Sequence, residues 1–215
     1  SINDAVFIPP VFNSIHEYMG DLENFAHNNE FYFPDLLKIA LIHYQFETIH
    51  PFLDGNGRVG RLMITLYLVE KGILKKPILY LSDFFERNRT LYYDNLTRVR
   101  EKNDITQWFK FFLVGIQETA KSSIKTFDGI LKLKKEIEIQ IQQLGSRANN
   151  AQIIINYLFQ QPIINAQQTK ELINLSNPSI YKLLDDLERL KILEEVTGGK
   201  RGKLYIFEKY ISLFR

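Results

Sequence analysis

The chain has 215 residues, 45% hydrophobic and 24% charged, which excludes a disordered or fibrous polymer and allows one large domain or a medium and a small one. Lysine and arginine number 27 against 25 acidic residues, a formal charge of +2 that is too balanced to announce nucleic-acid or membrane binding by bulk electrostatics. Cysteine is absent, which excludes disulfides and thiolate metal sites, and there is neither a bilayer-length apolar run nor a signal-peptide pattern at Ser1-Ile2-Asn3-Asp4. These features predict a cytoplasmic protein with no membrane partner. The abrupt apolar opening reads as that of a fragment.

In chain order, Phe7-Ile8-Pro9-Pro10 is expected to be extended, because proline pushes the residue before it out of the helical region. Apolar residues at helical spacing then predict helices over 13–28, 34–49, 58–71, 82–101 and 104–121. Gly72 is the C-terminal cap of the third. Between the second and third helices, one proline and two glycines in 49–57 prevent regular structure. A further helix over 127–144 carries the mixed-charge run 132–138 and ends at Gly145. Beyond it the pattern changes to helices over 149–160, 167–174 and 177–190. Two β-rich runs, 193–196 and 204–207, flank the hairpin-like loop 197–203. Three helices and a hairpin is the order of a winged helix-turn-helix. Charge splits mildly at residue 146, with 17 basic against 18 acidic residues before it and 10 against 7 after it.

The chemistry concentrates in His50-Pro51-Phe52-Leu53-Asp54-Gly55-Asn56-Gly57-Arg58-Val59-Gly60-Arg61. Glycines permit unusual backbone angles and close approach, so successive amides can face an anion. The helix that follows adds unsatisfied N–H groups and the positive end of its dipole. Arg58 and Arg61, three apart on one helix face, carry forks suited to phosphate oxygens. Their position is otherwise unfavourable, since the dipole disfavours cations in a first turn. Asp54 could share Mg²⁺ with phosphates, because magnesium takes one or two carboxylates plus substrate oxygens. Histidine suits general-base work near neutral pH, and His50 stands at the loop entrance. Singly, each residue has an ordinary structural explanation; their order within twelve positions does not.

This segment resembles the signature of the Fic (filamentation induced by cAMP) family, His-x-Phe-x-Asp/Glu-Gly-Asn-Gly-Arg-x-x-Arg, at every defined position. Its surroundings are similar too: 5–10 upstream, 43–49 leading in, and 81–88 with Tyr92-Tyr93 downstream. The resemblance covers about residues 4–145. It implies a Fic-type helical core in 1–145, which with the small winged helix-turn-helix domain read from the order of elements in 146–215 makes a mainly α protein. It also implies protein adenylylation, the transfer of AMP from ATP to a Ser, Thr or Tyr hydroxyl of a target protein, including the enzyme itself. By position, His50 would be the catalytic base and Asp54 would hold Mg²⁺. Gly55, Asn56 and Gly57 would form the anion hole, Arg58 would bind phosphates, and Arg61 the γ-phosphate. Phe52 would point inward and anchor the loop. Val6 and Phe7 fall in the flap that covers the nucleotide in relatives. Tyr92 and Tyr93 would lie by the adenine, with core packing equally open. Gly57, where phosphate-transferring relatives carry Lys, favours AMP.

Many relatives carry an inhibitory helix, Ser/Thr-x-x-x-Glu-Gly/Asn. The nearest string, Ser82-Asp83-Phe84-Phe85-Glu86-Arg87, ends differently, so the regulatory N-terminal part is expected to be missing and Arg61 free of that glutamate. Removal of AMP from a modified target, which in relatives uses that glutamate, is disfavoured for the same reason. In the C-terminal module, Ser176 or Asn177 caps a helix with Pro178 in its first turn. Ser179, Tyr181, Lys182, Lys200, Arg201 and Lys203 are the candidate DNA contacts. Asp185, Asp186 and Glu188 on the same helix oppose them, so domain packing or protein recruitment ranks above DNA. A homodimer stays open. The rival function is a nucleotide-sensing, DNA-binding regulator or adaptor without transfer.

Overall fold

The computed structural model describes residues 7–28, 30, 32–199 and 202–215. The candidate residues Val6, Lys200 and Arg201 lie outside them. After the extended Pro9-Pro10 stretch the chain enters α1 (Phe12–His27), then α2 (Asp35–Ile49), with Pro34 at its N-cap and Asp35 in its first turn. Proline preorganises a helix start and an acid there complements the dipole. The α2 helix is apolar on several sides and is the central helix of its unit. Ile39, Ala40, Ile42, Phe46 and Ile49 are all buried, and Lys38, also buried, donates from Nζ to the Asn28 carbonyl at 2.7 Å.

The α3 helix (Asn56–Glu70) packs on α2 at Gly60. A Cβ there would come 2.7 Å from Glu47 Oε1, 3.1 Å from Phe46 Cδ1 and 3.2 Å from His43 Cε1. Gly72, at φ 69°, follows the end of α3 as expected. The stretch expected as one helix over 82–101 is two, α4 (Leu81–Arg87) and α5 (Arg89–Lys102). They break at Asn88, at φ −112° and ψ 32°, whose Nδ2 donates to the Phe84 carbonyl at 2.9 Å. An Asn side chain that bonds nearby backbone competes with helix continuation. Conversely, the two helices expected over 104–121 and 127–144 are one, α6 (Ile105–Ile141). Lys121-Ser122-Ser123-Ile124-Lys125-Thr126 contains no proline or glycine to stop it.

The chain divides into two compact units, residues 1–123 and 124–215. The first has a core of Ile39, Phe46, Ile64, Leu68, Phe84, Phe85, Tyr92, Trp108 and Phe112 with their neighbours. Trp108 ties α6 to α2 by donating from Nε1 to the Ala40 carbonyl at 2.9 Å. The second core gathers Leu133, Ile137 and Ile141 from the end of α6 with apolar residues from the following elements. The packing division therefore falls inside α6, ahead of Gly145, which at φ 57° interrupts a 3-10 segment (Gln142–Arg147).

In the second unit α7 (Ala148–Leu158) leads to β1 (Ile163–Asn165), α8 (Ala166–Leu172) and α9 (Asn177–Arg189). Strands β2 (Glu194–Glu195) and β3 (Leu204–Ile206) follow, then α10 (Glu208–Ile211). The sheet order is β1-β3-β2, all antiparallel, with Ile164 opposite Tyr205 and Glu195 opposite the same residue. Strand β1, absent from the sequence reading, ends at Asn165, which opens α8 with a reciprocal capping box to Gln168. Asp186 is buried, paired to Arg147 at 2.7 Å and also to Arg189. Asp185, by contrast, is exposed.

Candidate active site

Two residues in the left-handed region bound the loop between α2 and α3. His50, at φ 51° and ψ 58°, ends α2, with its N–H donating to the Phe46 carbonyl at 2.9 Å. Gly55, at φ 85°, is the N-cap of α3. The first is unusual for a residue with a Cβ, and the second is where glycine is required. Asn56, next to Gly55 and the first residue of α3, closes the loop. Its Oδ1 accepts from the Phe52 N–H at 2.9 Å, and its Nδ2 donates to the Phe52 carbonyl at 2.6 Å. This bidentate clasp buries the Asn56 side chain. The anion hole can therefore use only its backbone N–H. Phe52 differs from the expectation of an inward anchor: the residue is 49% exposed, and its ring lies 6.2 Å from that of Phe46 between centroids. The inward anchor is the asparagine.

Because α3 begins at Asn56, the N–H groups of its first turn lack intrahelical acceptors and face the positive end of the dipole. A cleft of about 280 Å³ opens beside them. Asp54, Gly55, Gly57, Arg58, Arg61, Tyr92 and Tyr93, all expected at the site, line it together with Phe85, Glu86 and Arg89. The last three carry no signal in the loop motif, because α4 and α5 bring them in from some thirty positions downstream. Asp54 Oδ1 accepts from the Gly55 N–H at 2.7 Å, and Oδ2 pairs with Arg58 Nη2 at 3.0 Å. Arg61 donates from Nε to Ser82 Oγ at 3.2 Å. Arg89 lies 3.9 Å from Glu86 and over the Tyr93 ring, 5.9 Å from its centroid.

Tyr92 is both floor and core. Its ring packs on Phe85, with centroids 4.8 Å apart, and it is 4% exposed, whereas Tyr93 is 53% exposed. Its hydroxyl is 3.0 Å from His43 Nε2. Burial pushes the Tyr92 hydroxyl well above the usual phenol range, with the Glu47 carboxylate adding to the rise. Burial holds His43 down at about 4. It also raises the Glu47 carboxyl against the pull of Arg61 and Arg100. Phe7 is not among the cleft residues. Its ring stacks on Arg100, with the guanidinium carbon 3.7 Å from the ring centroid.

No group of three or more His, Asp or Glu suited to a metal occurs among the described residues. Asp54 is a single, 91%-exposed carboxylate, a donor set that fits magnesium only when substrate phosphates complete the shell. In the second unit Ser179, Tyr181 and Lys182 are exposed on α9. Lys203 joins Tyr181, Asn165, Lys170 and Asn177 around a hollow of about 290 Å³.

Fold and cleft together define a mainly helical protein whose glycine-bearing loop-to-helix turn borders a cleft lined by arginines and aromatic rings. Residues 2–68 match the model of the Fic/DOC family. It is 26% identical over 199 residues to a probable protein adenylyltransferase of Aquifex aeolicus, an alignment covering 89% of this chain and 55% of that protein. It is 30% identical over 105 residues to protein adenylyltransferase Fic of Aedes aegypti, covering 48% of this chain and 20% of that protein. The chain thus spans about half of the first relative and a fifth of the second. The crystal structure of a Fic family protein from Desulfovibrio desulfuricans shares the fold, with a TM-score of 0.51 at 20% identity, over 93% of this chain and 56% of that one.

Proposed function

We propose that this chain is the catalytic part of a protein adenylyltransferase, moving AMP from ATP to a Ser, Thr or Tyr hydroxyl of a target protein or of itself. One observation carries the reading: the loop that begins at His50 runs into a helix N-terminus whose Gly57, Arg58 and Arg61 line a cleft with Asp54 and Gly55, His50 itself not being among the lining residues. The names of the relatives point the same way.

His50 accepts the proton of the target hydroxyl as its oxygen forms a bond to the α-phosphorus, and the bond from that phosphorus to the pyrophosphate oxygen breaks. The α3 amides with Arg58 and Arg61 offset charge on the phosphates and on the leaving pyrophosphate. Catalysis of this kind is chiefly positioning and preorganised electrostatics. Asp54 would hold magnesium jointly with the phosphates, and the ion would supply further charge neutralisation on the leaving group; Arg58, now paired with Asp54 at 3.0 Å, would then be available to phosphate. Tyr93 offers the adenine a face and Tyr92 an edge. Val6 and Phe7 belong to the flap that guides the target segment. The second unit serves as a winged-helix module that recruits protein, and the protein works in the cytoplasm.

The test is transfer from α-labelled ATP. His50→Ala retains ATP binding and loses ~10²–10⁴ in transfer rate. Unchanged transfer removes His50 from the mechanism. ATP binding with no transfer by the unmodified chain points instead to a nucleotide-sensing regulator.

A further inference from the structure

Gly57 has no backbone reason to be glycine. It lies inside the first turn of α3 and is not among the residues with positive φ, and glycine is a poorer helix former than alanine. What its missing side chain provides is room. A Cβ at position 57 would fall 2.9 Å from Arg61 Nη1, 3.6 Å from Cζ and 3.7 Å from Nη2. The whole guanidinium therefore lies against the bare Cα one turn back, the direction in which long helical side chains fold. On its other side the Arg61 Nε–H is taken by Ser82 Oγ at 3.2 Å, from a helix twenty-one residues away. Among the described residues no carboxylate comes within ion-pair distance of Arg61. With Nε engaged by a neutral acceptor, the Nη edge keeps its charge and its fork for a ligand in the cleft.

We infer that Gly57 and Ser82 are positioning residues that form a seat for the Arg61 guanidinium and aim its fork at the outer phosphates of a polyphosphate ligand. Gly57 admits the head group and Ser82 fixes its rotation. The inference deepens the nucleotide-transfer reading, on which it rests for the identity of the ligand. It explains a glycine at a site where only the amide would otherwise matter, and gives Ser82 a role in the site.

The experiment measures binding of inorganic tripolyphosphate, ATP and AMP to the full chain by calorimetry, with transfer from α-labelled ATP run in parallel. Ser82→Ala weakens tripolyphosphate and ATP about tenfold, the size expected for losing one hydrogen bond to a charged group, and leaves AMP within about twofold. Ser82→Thr, which keeps the acceptor, restores both. Gly57→Ala keeps the amide and improves helix propensity, so it folds, yet it weakens the same two ligands by pushing the tip of the Arg61 guanidinium off its place against the Gly57 Cα. In an Arg61→Ala background neither substitution has a further effect. The seat is overturned by unchanged tripolyphosphate affinity in both variants, by equal loss of AMP, by persistence of the effects without Arg61, or by failure of the unmodified chain to bind tripolyphosphate. If the seat behaves as described while label never leaves ATP, the transferase reading falls and the seat stands.

Discussion

Asn56 holds the loop with its side chain and leaves its backbone free. Both halves of its amide grip the Phe52 backbone, at 2.9 and 2.6 Å, so the N–H is the group it can offer to the anion hole expected of the Gly-Asn-Gly turn. Beneath the loop, His43 makes a pH prediction. It is fully buried, stacked on Phe85 and Trp108, and held at about 4 by burial. Between that value and the ordinary 6.5, the unfolded chain binds a proton that the folded chain refuses. Its contribution to stability is therefore complete above pH 6.5 and lost as pH falls toward 4. The span is worth about 3 kcal/mol. Denaturant melts from pH 4 to 7 should show this slope, and His43→Gln, which keeps a partner for Tyr92, should flatten it.

At the level of elements, boundaries moved where side chains competed with backbone or where nothing stopped a helix. Asn88 split α4 from α5, and the absence of Gly or Pro near 121–127 fused two predicted helices into α6. The split matters to the site, because α4 presents Ser82, Phe85 and Glu86 while α5 presents Arg89, Tyr92 and Tyr93. The approach of α4 to α6 depends on Gly115. A Cβ there would meet Phe84 Cδ1 at 2.6 Å and Cε1 at 2.7 Å. The Phe84 ring is itself confined by Phe85 and Phe111, at 5.9 and 5.3 Å. Gly115→Ala should therefore cost about 1–3 kcal/mol by overpacking, despite alanine's better helix propensity. A lowered melting temperature checks it, and an increase would show that the ring can move aside.

Across the whole molecule, residues 1–123 carry 13 basic and 15 acidic side chains and residues 124–215 carry 14 and 10, so the positive excess lies in the second unit. One acid counted against DNA there, Asp186, is neutralised internally by Arg147 and Arg189. Asp185 remains exposed beside Lys182. Our expectation is weak duplex binding with little salt dependence. A steep fall of affinity with salt, the sign of several released counterions, would move DNA ahead of protein recruitment.

The order of chemical groups from His50 to Arg61, the helical character of the chain and the hairpin near its end were legible in the residues alone. They depend on local rules: glycine where φ is positive, apolar spacing at helical period, turn residues between β-rich runs. Packing alone decided what those rules cannot express. It brought Glu86 and Arg89 to the cleft, handed the loop's anchoring from Phe52 to Asn56, added β1 to the sheet, and laid Arg61 between Gly57 and Ser82. Each of these is a contact between side chains or strands whose partner the local pattern does not name, so it exists only once the helices and strands have met.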